Sequence, residues 1–148
     1  MPRPPEYENL IKGGAFEAIT RAAGVTEAFL KTAAEDLEVA KSIDIKHPKQ
    51  RFTLAYEGFY SLVQSVLDFY EVRTKDAGRN LAIQRVAADL KLAPAEFKLV
   101  IDAHSRRNET TYRSPFPPIS RAEAQAMIDI LAKALPFAQT LTGVPILK

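Results

Sequence analysis

RFTLAYEGFYSLVQSVLDFY, residues 51–70, is the stretch that decides the fold. Phe52, Ala55, Tyr56, Phe59, Leu62, Val63, Val66, Leu67 and Tyr70 recur at steps of three and four, which places them on one face of a helix. Pro48 suits the first turn of that helix, where an absent N–H forfeits no intrahelical bond. Gly58 interrupts it at a propensity cost of about 1 kcal/mol relative to alanine, and so marks a point of close helix–helix approach.

The same period extends in both directions. Downstream, Ser120 and Glu123 match a capping box, and Ala124, Met127, Ile128, Leu131, Ala134, Leu135, Ala138 and Leu141 form a buried stripe ending near Gly143. Between these two helices lie one over about Asn80–Leu90 and another starting near Pro94 with Phe97, Val100 and Ile101 inward. Upstream, Thr26 and Glu27 open a helix to about Ile43, and Tyr7–Ala23 reads as one or two shorter helices broken at Gly13-Gly14. No stretch keeps a convincing period of two, so strands are not expected. The expectation is an all-α antiparallel bundle of about five main helices plus short N-terminal helices. Residues 1–25 form an N-terminal extension, 26–143 the bundle and 144–148 a tail. Phe52, Phe59, Leu62, Val66, Met127, Leu131 and Leu135 should share one core, because the two most periodic helices have the largest apolar faces to cover.

Composition narrows the chemistry. The chain has 148 residues, 47% hydrophobic and 26% charged, as expected of a globular domain. It has no cysteine, which excludes a disulfide framework, a thiolate nucleophile and a cysteine-bearing zinc site. With only His47 and His104, a multi-histidine metal site is excluded as well, and no metal or other cofactor is expected. None of the six glycines falls in a familiar phosphate-loop pattern. The start of the chain lacks the apolar core of a secretory signal, and no window approaches the roughly 20 apolar residues of a membrane span. A cytoplasmic protein without a membrane partner is the simple expectation.

Character changes at His104. In the run His104-Ser105-Arg106-Arg107-Asn108-Glu109-Thr110-Thr111-Tyr112-Arg113, helical phase continues from Phe97, Val100 and Ile101, yet the formerly apolar face turns polar. Burying such groups unpaired costs about 1–3 kcal/mol each, so they pair internally or face a cleft or partner. Four arginines (Arg106, Arg107, Arg113 and Arg121) stand against Glu109 alone here, while the whole chain carries only +2. Arginines in a last turn also stabilise helix carbonyls, and His104 with Asn108 one turn later could be a hydrogen-bonded core pair. Arg107-Asn108 is harder to assign to structure, since together they present a forked cation and an amide.

On these residues the chain resembles the HEPN (higher eukaryotes and prokaryotes nucleotide-binding) superfamily. The likeness covers roughly residues 26–140 in helix order and is carried by Ala55-Tyr56-Glu57-Gly58-Phe59-Tyr60-Ser61-Leu62 and by Arg107-Asn108. The family's ribonuclease motif is an arginine, usually followed by a polar residue, then a histidine four to six positions on. Arg107-Asn108 matches the first half; Tyr112 stands where the histidine would. In active relatives the resemblance implies metal-free RNA cleavage with the ribose 2′-OH as nucleophile. Tyrosine, with an ordinary pKa of about 10, is a poor base at neutral pH but a good hydrogen-bond partner and stacking surface. The resemblance therefore implies an RNA- or nucleotide-binding module of a toxin–antitoxin or defence system, with Arg107 and Asn108 as ligand-binding residues; the neighbouring Arg106 and Tyr112 are candidates beside them on their own chemistry. It further implies a homodimer and a nucleotidyltransferase-type partner. Two alternatives stand beside it: an active endoribonuclease using His104, Arg107 or Tyr112 in catalysis, and a structural helical adaptor that binds another protein.

Overall fold

The computed structural model describes residues 3–75, 78–108 and 117–145. Six helices and one two-stranded sheet make up those residues: α1 (Pro5–Lys12), β1 (Phe16–Ala18), α2 (Val25–Ser42), α3 (Pro48–Phe69), β2 (Val72–Thr74), α4 (Arg79–Ala87), α5 (Pro94–Asn108) and α6 (Arg121–Thr142). The fold is the all-α bundle expected. Pro48 occupies the first turn of α3, and Ser120 and Glu123 close a reciprocal capping box on α6, with both bonds at 3.0 Å. Gly143 ends α6 in the left-handed conformation, at φ 75°.

α3 is the central element. Phe52, Ala55, Tyr56, Phe59, Leu62, Val63 and Val66 are all buried along it, and its most extensive partner is α2, followed by α6. Of the expected shared core, Phe52, Phe59, Leu62, Val66, Met127 and Leu131 are buried, while Leu135 packs half-buried at the margin. Gly58 lies where these three helices meet. A Cβ built there would stand 2.9 Å from both Asp36 Cβ on α2 and Leu131 Cδ2 on α6, so the glycine is required for the approach.

One helix, α1, forms before Gly13-Gly14, within the one or two expected. The departure is that the segment after these glycines becomes a strand, although no strand was expected. β1 pairs antiparallel with β2, with Phe16 opposite Thr74, Glu17 opposite Arg73 and Ala18 opposite Val72. Phe16 and Val72 point inward and the Glu17–Arg73 ion pair faces out, so the two sides alternate as a sheet requires. Three residues are too few for a period of two to register in a sequence window. Tyr7 and Phe16 belong to the same hydrophobic cluster as Phe59 and Leu131. The Tyr7 hydroxyl donates to Asp89 at 2.8 Å, and Arg3 donates to the carbonyls of Tyr70 and Glu71 at 2.7 and 3.1 Å, tying α1 to the end of α3 and to the turn after α4. No helix of the described residues is long and apolar enough to cross a membrane.

Candidate functional site

The last two turns of α5 leave the apolar core, and their polar side chains meet the middle of α3 and the first turn of α4. Consecutive residues on a helix diverge by about 100°, so Arg106 and Arg107 cannot face the same way. They do not.

Arg107 turns toward α3. Its guanidinium donates to Glu57 Oε1 at 2.6 Å and to Asn108 Oδ1 at 3.1 Å, and it lies 5.3 Å from the centre of the Tyr56 ring. Because Asn108 accepts from Arg107 through its oxygen, its nitrogen is left facing His104 Nε2, at 3.2 Å. An amide nitrogen only donates, so Nε2 accepts and the neutral imidazole carries its proton on Nδ1. That proton is directed at the Tyr56 oxygen, 2.9 Å away. Burial, with the charges of Arg79 and Arg107, holds the His104 pKa below its usual value, which agrees with the neutral ring. Burial likewise pushes the Tyr56 hydroxyl up, against the lowering pull of Arg79 and Arg107.

Arg79, the first residue of α4, completes the cluster. It donates to the Tyr56 oxygen at 3.4 Å, lies 3.9 Å from Glu57 Oε2 and stacks 4.0 Å above the Tyr60 ring. The Glu57 carboxylate is thus held between two guanidinium groups from different helices. Asp36 on α2 is also close enough to Glu57 for their charges to interact; burial first, and then Glu57, raise its pKa.

Arg106 turns the other way. It forms a two-pronged pair with Glu123 at 2.9 and 3.0 Å and donates to the carbonyls of Pro117 and Pro118 at 2.9 and 3.0 Å. This fork fastens α5 to the start of α6, and the hydrogen bonds from Arg106 hold the Glu123 pKa below its ordinary value.

The structure therefore brings together His104, Arg107 and Asn108, and sets Arg106 apart from them; Tyr112 lies outside the described residues. Tyr56, Glu57, Tyr60 and Arg79 were missed as members of the site. Tyr56 read as a core aromatic, Tyr60 lay outside the apolar stripe, and nothing local distinguishes Arg79 from any other surface arginine. Among the described residues, no group of three or more histidines, aspartates or glutamates could hold a metal ion.

No family model matches the chain, and no curated protein or solved structure is significantly similar to it.

Proposed function

We propose that the junction of α3, α4 and α5 binds the phosphate of a nucleotide or RNA and does not cleave it. The observation that carries this reading is the Glu57 carboxylate lying between the Arg79 and Arg107 forks, at 3.9 and 2.6 Å. Two planar guanidinium groups converging on one oxyanion are suited to a phosphate, which presents the same pair of oxygens with more charge. Tyr56 touches both forks, accepting from Arg79 and lying under Arg107, and His104 is hydrogen-bonded to Tyr56 in turn. Binding is favoured over cleavage because both His104 nitrogens are engaged, Nε2 by Asn108 and Nδ1 by Tyr56. A general base needs a lone pair free to reach the substrate proton, and here that lone pair is taken up by the Asn108 amide. The HEPN resemblance agrees with this reading, and with it come a cytoplasmic homodimer and a nucleotidyltransferase-type partner as expectations.

The test is Arg107→Ala, measured by fluorescence anisotropy of a labelled single-stranded RNA over a range of salt concentrations. Affinity should fall at least about ten-fold, with the salt slope reduced by about 1, and neither protein should generate cleavage products. Unchanged RNA affinity and salt slope in a folded variant would make the arginine structural and the reading wrong. A cyclic-phosphate product would restore the endoribonuclease alternative.

A further inference from the structure

Tyr56, Tyr60, Gln64 and Asp68 succeed one another at four-residue steps along α3, so they form a single row on one side of the helix. At 1.5 Å per residue the row advances about 6 Å per step, and Gln64 lies about 12 Å along the axis from Tyr56. The first two members belong to the proposed phosphate site. The last three line a cavity of about 230 Å³ between α2, α3 and β2.

Three observations give this cavity a ligand chemistry. Its apolar side includes the half-buried Phe29 and Val25 together with Leu67, which offers a planar ring a surface to lie on. Gln64 lines the same cavity and is half-buried, and its side-chain amide makes no hydrogen bond to any described residue. Asp68 is only 6% exposed; one carboxylate oxygen accepts from Thr26 at 2.6 Å, and a carboxylate has a second. The volume lies below the roughly 300–1,000 Å³ of pockets that enclose drug-sized ligands, so it suits one ring system rather than a whole cofactor. Tyr60 borders both places, carrying the Arg79 guanidinium on its ring while lining the cavity.

We infer that this cavity is a base subsite, and that the ligand is a single adenine nucleotide whose phosphate sits at Arg79 and Arg107. Gln64 offers one donor and one acceptor, the pair that matches adenine N7 and its 6-amino group. Asp68 accepts the amino group's other proton. The inference rests on the phosphate reading and extends it from an anion to a named nucleoside.

Calorimetric titration of the full chain with AMP, IMP and ribose 5-phosphate separates the two claims. AMP should bind about ten-fold more tightly than ribose 5-phosphate, since a matched amide pair is worth about that factor. IMP, with a carbonyl replacing the amino group, should bind no better than the sugar phosphate. Gln64→Leu should bring AMP down to the ribose 5-phosphate level and leave ribose 5-phosphate unchanged. Equal binding of AMP and ribose 5-phosphate to the unaltered protein overturns the base subsite while the phosphate site stands; failure of both to bind removes both. The methyl resonances of Val25 and Leu67 in the unaltered protein provide a second readout. They should shift with AMP and stay in place with ribose 5-phosphate, whereas identical responses refute the subsite without any variant.

Discussion

Gly58→Ala tests the packing that sets the site's backbone, because Gly58 follows Glu57 directly on α3. On an exposed helix the substitution would stabilise by about 1 kcal/mol through propensity alone. Here the new methyl would stand 2.9 Å from Asp36 Cβ and from Leu131 Cδ2, whereas carbon atoms rest at about 3.5–4.0 Å. About 0.6–1.1 Å must therefore be opened on two sides at once. Leu131 is fully buried and has little room to rotate, and Asp36 Cβ is fixed to the α2 backbone, so a helix has to move. Overpacking of this kind costs about 1–3 kcal/mol, which leaves a net loss of up to about 2 kcal/mol after the propensity gain. Urea unfolding followed by circular dichroism measures it, with a fall in melting temperature of about 2–4 °C per kcal/mol expected at this chain length. Leu131→Ala alone should cost about 2–5 kcal/mol, and combining it with Gly58→Ala should cost less than the sum, because one of the two clashes is gone. If Gly58→Ala stabilises by the full 1 kcal/mol, then α2, α3 and α6 are not in the contact described.

Two pH-linked outcomes follow from the site and its neighbour. His104 is held below its usual 6.5, so the unfolded chain binds more protons in that interval and stability should fall as pH drops through about 6.5. An imidazole NMR titration should place His104 under 6.5, and His104→Gln should flatten the stability slope; a titration above 6.5 would contradict the neutral, doubly bonded ring. Glu123 is held below 4.5 by Arg106, so that stabilisation is complete above 4.5 and is lost as pH falls through the lowered value. Arg106→Ala should cost about 1–2 kcal/mol near neutrality by denaturant titration, with the gap to the parent protein closing in acid; an equal gap at pH 3 would assign the loss to something other than the ion pair.

What could be read from the sequence was whatever repeats within one helix. The stripe Phe52–Val66 and the Ser120–Glu123 capping box each lie within a few turns of chain, and both formed as expected. The Phe16–Ala18 and Val72–Thr74 strands could not be read that way, because each is three residues long and their pairing partner lies on the far side of two helices. The site divides along the same line. His104, Arg107 and Asn108 announced themselves as polar residues in a phase that should have been apolar. Arg79, Tyr60 and Glu57 joined them only through contacts between different helices, which no local pattern encodes. The divergence of Arg106 from Arg107 was available from the helical angle alone.

The small sheet bears on the order in which the molecule assembles. Glu17 and Arg73, joined across it, are 56 positions apart, and Tyr7 reaches Asp89 over 82. Both bonds close loops that contain the whole of α2 and α3, so they gain nothing until those helices have docked on each other. On sequence separation the helical pair is expected to form first, from neighbouring segments, and the N-terminal clasp to fasten last. Substitutions in that clasp, such as Phe16→Leu, should therefore raise the unfolding rate in a stopped-flow chevron and leave the folding rate nearly unchanged.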